Sequence, residues 1–478
     1  MVFPIVGGDG KPTGYDIENS LRFNDADLHY LERTFDSSGS QRTFTVSCWI
    51  KRSELSTGNN TIWAAAPSNG GQLSLQFNSS DQLILREYNT TDEEVLNLVT
   101  SGLFRDPAAW YHIVAAVDTT DGTASNRAKL YVNGTLQALG TATYPNQNYD
   151  LLMNNTTNTG KFFVGNETYA STSAVFDGYI AEFYIINNSQ LAPTSFGETD
   201  DNGVWIPTDA SGDLTFGHNG VYLEFKQTGT GQNSSGIGAD TSGEDHHFAI
   251  ANNNSAFAST DITTDTPTNN FCTYNPNDPG SGSTFSEGNL ATNTGDNKND
   301  IGTIGFQNGK WYWEVKCAGS GIVGVQHESV NHLNGTNLND DVGSVAVSSY
   351  HGTIFHNNNQ DTTPGTDQDG CIIGCAVDMD NNKIYWHKDG TYYDTSGGTQ
   401  NPVTAANPIT VATGTNTTGF WFPKLAAGTG SQTFETNFGN PSFAISSGNA
   451  DDNGYGNFEY DVPAGYYAIC TKNLAEYG

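Results

Sequence analysis

Phe44-Thr-Val-Ser-Cys-Trp-Ile50 sets the reading of the whole chain. Phe44, Val46, Cys48 and Ile50 alternate with Thr45, Ser47 and Trp49, a period of two that puts one set on each face of a strand. Short runs of the same kind recur, among them Gln72-Leu-Ser-Leu-Gln-Phe77, Gln82-Leu-Ile-Leu-Arg-Glu-Tyr88 and Trp110-Tyr-His-Ile-Val-Ala-Ala-Val117. Between them lie clusters of Gly, Asn, Asp, Thr and Ser, which end strands. Asn133-Gly134, Asp177-Gly178 and Asp389-Gly390 read as hairpin turns, because glycine accepts positive φ. No amphipathic stretch lasts four helical turns, and 106–109 and 192–196 read as single turns. The expectation is an all-β fold built from antiparallel β-sandwiches of roughly 150–200 residues each.

Composition narrows the function. The chain has 478 residues, enough for two to four domains. It carries 52 acidic against 19 basic residues, a net charge of −33. Phosphate neutralisation needs clustered positive charge, so nucleic acid is excluded as a partner, and a bare anionic membrane with it. An aromatic content of 12 % excludes a disordered acidic chain. No apolar run reaches the ~18 residues of a membrane-spanning helix. The N-terminus lacks the basic and apolar regions of a secretory signal, so the expectation is a protein that bypasses general secretion. Cys48, Cys272, Cys317, Cys371, Cys375 and Cys470 form no CxxC pair and no zinc spacing. They read as small buried hydrophobes, with Cys371 and Cys375 on one face of a strand.

Two strand-rich blocks stand out, 19–205 and 266–474, the second closing on a C-terminal strand. Between them 206–265 reads as a Gly/Ser/Asn-rich connecting region with one strand at 220–225, and 1–18 as an attachment segment.

The first block resembles the laminin-G branch of the concanavalin A-like lectins. The resemblance rests on Phe44–Lys51, Trp110–Val114, Lys129-Leu-Tyr-Val-Asn-Gly134, Phe163-Val-Gly165 and Phe176-Asp-Gly-Tyr-Ile-Ala-Glu-Phe-Tyr-Ile185, which occur in that order. Trp49 and Trp110 are expected on inward faces. The resemblance places a calcium ion near Asp177, although that residue also serves the Asp177-Gly178 turn. The same fold class includes glycan hydrolases, which need two carboxylates across the sugar. Glu182 and Glu314 stand alone on their strands and Asp92-Glu-Glu94 falls in a turn, so no catalytic residues are expected.

The second block resembles a SPRY domain. Gly309-Lys-Trp-Tyr-Trp-Glu-Val315, Ile322-Val-Gly-Val325, Asp369–Asp380, Lys383–Gly390, Phe420–Leu425 and Asn437-Phe-Gly439 carry it. The resemblance implies a two-sheet binding module with Trp311, Trp313 and 372–377 as scaffold. Asp378–Asn382 reads as a hairpin and not a calcium loop, since it lacks the glycine and final glutamate. Loop residues are then the binding candidates: His332, Tyr350, His351, His356, Tyr392 and Tyr393.

Thr264–Asn275, Ser286–Leu290, Ile17–Phe23, Tyr30–Phe35 and Val462–Leu474 resemble segments of tailed-bacteriophage virion proteins, taken as tail-fibre-like or otherwise exposed. That resemblance implies assembly in the host cytoplasm, residence in the virion, other virion proteins as partners and a homo-oligomer. It also implies host-surface glycan or protein as a ligand. The alternative is a capsid or tail decoration protein used only for packing; a cellular lectin or glycan hydrolase comes third.

Overall fold

In the computed structural model of the chain the described residues are 14–35, 39–167, 174–251, 257–277, 282–295, 298–319, 321–330, 343–349, 352–356, 359–361, 369–393, 398–411, 418–427 and 430–478. They divide into two units, one ending at Thr268 and the other beginning at Asn269. Both are sandwiches of antiparallel sheets, and the one α-helix among the described residues is Thr471–Tyr477. The fold is all-β, as the sequence pattern implies.

In the first unit the Thr43–Arg52 strand pairs with Trp110–Asp118 on one side and Gly178–Asn187 on the other. Phe44, Val46, Cys48 and Ile50 turn into the core, where each fully buried apolar side chain contributes about 1.5–3 kcal/mol. The first sheet continues through Ala128–Val132 at one edge and through Ser20–Phe23 and Ile262–Thr263 at the other. The second sheet runs in the order Leu139–Thr143, Glu94–Thr100, Leu83–Tyr88, Gln72–Phe77, Asn60–Ala66, Lys161–Val164, Leu31–Thr34 and Ala249–Ile250. Leu73, Leu75, Leu83, Leu85, Leu96 and Leu98 line its inner face.

Three expectations are corrected here. Trp49 and Trp110 do not face the core. They share the outer face of the first sheet with Tyr179 and Ala181, covered by Ile17 and Trp205. The alternation decides this: Phe44 to Ile50 take the inner positions, so Trp49 falls outside. Second, 206–265 is part of the sandwich. Val221–Leu223 pairs with Gly178–Asn187, Ala249–Ile250 with Leu31–Thr34, and Ile262–Thr263 with Ser20–Phe23. Phe225, Phe248 and Phe257 enter the core, and buried Asp265 accepts from Lys51 Nζ at 2.8 Å and Trp110 Nε1 at 3.1 Å. Third, the described end of the 1–18 segment is built in: Ile17 N–H donates to Thr268 Oγ1 at 3.1 Å. The remainder, 1–13, lies outside the described residues.

Asn133-Gly134 forms the expected hairpin, with φ of 47° and 75° at its two residues, and Asp389-Gly390 does the same at 46° and 79°. Asp177-Gly178 does not. Gly178 opens a long strand, and a Cβ there would lie 2.2 Å from the Lys51 carbonyl oxygen, so only glycine lets the two strands approach. Residues 193–195 form a 3-10 turn, whereas 106–109 is a simple turn.

In the second unit Gln432–Asn437, Lys310–Ala318, Ile372–Asp378 and Lys383–Lys388 lie side by side in that order. The facing sheet holds Lys298–Ile301, Trp421–Ala427, Gly321–His327, Ser344–Ser348, Ile354–His356 and Asn359–Asp361. Trp311, Trp313, Trp386 and Trp421 fill the core between them. Strands 372–378 and 383–388 meet through a tight turn in which Asn381 donates to Asp378, so the hairpin reading holds. The C-terminal strand is only Tyr467–Ala468, parallel to the Lys310–Ala318 strand, and the helix follows it. All six cysteines are free, and Cys371, just before its strand, is half-buried, unlike the other five.

Candidate functional site

The three described sequence candidates, His356, Tyr392 and Tyr393, lie on two different sheets. His332, Tyr350 and His351 lie outside the described residues. His356 ends the Ile354–His356 strand, opposite Val345 and Asn359. Tyr392 and Tyr393 belong to the short Thr391–Tyr393 strand and turn to opposite faces. Tyr393 packs on the core; Tyr392 lies edge-on to His387, ring centroids 5.1 Å apart. Asp177 is buried at the mouth of the Gly178–Asn187 strand, where its carbonyl accepts from Ser53 N–H at 3.1 Å. Among the described residues no three His, Cys, Asp or Glu side chains gather as a metal would need.

Two lone strand glutamates prove to be clamps. Glu182 sits at a bulge with φ of 49°, an uncommon conformation for a residue with a side chain. Tyr184 and Tyr222 donate to its carboxylate, Tyr222 at 2.8 Å, and Tyr15 adds a third hydroxyl at 3.3 Å. Burial pushes its carboxyl up to about 7. Glu314 accepts from Glu459 N–H at 2.9 Å, Tyr460 N–H at 2.8 Å, Tyr312 Oη at 3.0 Å and Asn437 Nδ2 at 3.2 Å. Burial raises its carboxyl too, against those four bonds. Both carboxylates are saturated by the protein itself.

Ser47 and His112 resemble a nucleophile and its base, 2.8 Å apart. The third partner rules this out. Trp205 Nε1–H donates to His112 Nδ1 at 3.0 Å, so the proton sits on Nε2 and points at Ser47 Oγ. A base for Ser47 needs the opposite tautomer. Burial also pushes the imidazole down to about 3, keeping it neutral.

The outer face of the second sheet is different. Alternation along Gln72–Phe77 and Leu83–Tyr88 sends Gln72, Ser74, Gln76, Arg86 and Tyr88 outward. The register sets Arg86 opposite Ser74 on one side and Asn97 on the other, with Tyr88 opposite Gln72. Gln72 Nε2 donates to Glu167 at 3.3 Å, and Tyr88 Oη to Glu94 at 3.2 Å. The Arg86 guanidinium lies over the Tyr88 ring, 5.0 Å from its centroid. A cleft of about 480 Å³ opens here, lined by Gln72, Arg86, Tyr88, Asp92 and Glu167 with Gly70 and Gly71 at its lip. Four buried polar atoms on this face, Thr61 Oγ1, Gln76 Nε2, Arg86 Nε and Asn97 Oδ1, have no hydrogen-bond partner. A second cleft of about 470 Å³, at Glu32, Arg33, His246 and His247, has its polar groups engaged: His247 lies between Asp240 N–H and Asp245, each within 2.9 Å.

The cleft on this face was missed in the sequence, although its signal was there. An arginine in mid-strand is conspicuous in a chain with 19 basic residues, and it is followed at i+2 by tyrosine.

Comparison with known proteins agrees with this architecture. Residues 28–194 match the concanavalin A-like lectin/glucanases superfamily, in a laminin G-type family, and 310–423 match the SPRY domain. The chain thus carries a concanavalin A-like domain followed by a SPRY domain, two modules that typically bind and do not catalyse. Among solved structures it is similar to the SPRY domain of human HERC1, at 18 % identity and TM-score 0.22, covering 30 % of this chain and 86 % of that one. The TRIM65 PSpry domain is similar at 14 % identity and TM-score 0.26, over 34 % and 90 % of the two chains. A SAP-like pentraxin from Limulus polyphemus is similar at 16 % identity and TM-score 0.28, over 37 % and 80 %. A search of curated proteins by sequence finds no match.

Proposed function

We propose that this chain is a non-catalytic binding protein whose first sandwich takes up a carbohydrate on the outer face of its second sheet. The observation that carries the reading is the cleft at Gln72, Arg86 and Tyr88, where an aromatic ring lies among polar side chains. Sugar hydroxyls both donate and accept, and an aromatic ring supports a sugar's apolar face. In the same reading the protein is an exposed component of a tailed-phage particle and the ligand is a host-surface glycan. That setting is supported by the resemblance of Thr264–Asn275 and Val462–Leu474 to virion proteins.

Hydrolysis is disfavoured by the state of the acids. Asp92 is exposed, Glu167 is bonded to Gln72, and neither has the desolvated setting of a general acid. A role confined to packing is disfavoured by the surface: among the described residues the large exposed apolar side chains are Leu103, Leu136, Val204 and Val403. Interfaces of permanent assemblies are more apolar than that. The test is binding of fluorescent protein to intact host-type bacteria, competed with their extracted surface polysaccharide. Saturable binding removed by the polysaccharide supports the reading; none to any candidate host, from folded protein, overturns it in favour of virion architecture.

A further inference from the structure

We infer that the cleft on the outer face of the second sheet recognises an acidic sugar, with the Arg86 guanidinium as the partner of its carboxylate. The inference rests on the carbohydrate reading above and adds the charge of the ligand.

Arg86 lines the cleft without an ion pair of its own among the described residues. With 52 acidic residues against 19 basic, a cation finds a carboxylate easily. Several buried and half-buried cations do so: Arg22 with Asp261, Lys51 with Asp265, Arg52 with Asp81, Lys161 with Glu32, Lys310 with Asp378. Among the described residues the Arg86 side chain pairs with no carboxylate and makes no hydrogen bond, although it is half-buried in the middle of a strand. Its chain neighbour Glu87 does not neutralise it. That side chain points to the inner face, where its Oε2 accepts from Leu152 N–H at 2.8 Å and burial holds the carboxyl up at about 8, uncharged near neutrality. Its Nε is buried, while the rest of the half-exposed guanidinium faces the cleft, where a ligand carboxylate can pair with it.

Tyr88, under the guanidinium, holds it in the cleft. Asp92 and Glu167 lie on the lining, where they accept from hydroxyls and repel a densely charged polyanion. The ligand is therefore a hydroxyl-rich sugar with an isolated carboxylate. An acidic peptide fits less well, since the lining offers Ala66 and Pro67 but no apolar pocket for a side chain.

The test uses the full chain on an array of uronic-acid and sialic-acid oligosaccharides, each printed beside its methyl ester. The expected result is at least one acid retained about tenfold or more over its ester, the worth of one charge-assisted hydrogen bond. Arg86→Gln removes that preference and Arg86→Lys keeps part of it, both with wild-type circular dichroism. Equal retention of acid and ester overturns the carboxylate while leaving a sugar site in place. Acid preference that survives Arg86→Gln assigns the carboxylate elsewhere and also overturns it. Retention of no sugar in either form overturns this inference together with the reading beneath it. Displacement of the retained acid by a glutamate-rich peptide at equal concentration overturns the sugar in favour of a peptide.

Discussion

Glu87 offers the sharpest test of the interior as described. It is fully buried on the inner face of the second sheet, with one oxygen bonded to Leu152 N–H at 2.8 Å and the other without a partner. Burial raises its carboxyl from 4.5 to about 8. In the folded protein the group keeps its proton where the unfolded chain has lost it. Between pH 4.5 and 8 the native state binds more protons, so stability falls as pH rises across that window and levels off above it. A displacement of that size corresponds to at most about 5 kcal/mol. Glu87→Gln stays neutral at every pH and keeps an oxygen for Leu152, so it carries no such penalty. Urea unfolding at pH 5 and pH 9 measures both proteins. At pH 5 the two should agree to within about 1 kcal/mol. At pH 9 the variant should be more stable by several kcal/mol, through the transition of the first sandwich. The repulsion among 52 acidic side chains also grows with pH, but it is common to both proteins and cancels in the difference. A difference that stays constant from pH 5 to pH 9 would refute the reasoning.

Other consequences follow from the two clamped sites. Glu314→Ala leaves Tyr312, Asn437 and the amides of Glu459 and Tyr460 without their acceptor, a loss of about 3 kcal/mol or more. Hydrogen exchange should then show those two amides losing protection ahead of the sandwich strands; unchanged protection contradicts the clamp. For His112, nitrogen-15 NMR should find the neutral Nε2–H tautomer persisting down to about pH 4, because burial holds the ring near 3. A ring that protonates near its usual value would reopen Ser47 as a nucleophile.

Much of the fold is legible in the sequence because a sheet's two faces are written into a period of two. Phe44 to Ile50 predict a buried central strand, and the strand is there. Asn133-Gly134 and Asp389-Gly390 name their turns, since both residues must take positive φ. The 206–265 stretch is not legible. Its regular elements are two or three residues long, and it is held by separated anchors such as Tyr222, Phe248 and Asp265 whose partners lie far away in the chain. Trp49 and Trp110 mislead for a related reason: a large aromatic usually marks a core, and here the same stretch, through Asp265, helps build a second buried layer on the outer face. The SPRY-unit candidates came from loop composition, which carries no distances, so nothing in the sequence told Tyr392 from Tyr393. The cleft was hidden because its face needs three strands in register. Arg86, Ser74, Asn97 and Gln72 become neighbours only across the ladder.

The central claim is that the cleft at Gln72, Arg86 and Tyr88 binds carbohydrate. Saturation-transfer NMR between the full chain and fragments of host surface polysaccharide tests it most directly, with Tyr88→Ala and Gln72→Ala beside the wild type. The account predicts transfer to sugar protons in the wild type and its loss in both variants while their folded spectra are kept. Transfer that persists undiminished in both variants would place the sugar elsewhere and contradict the account.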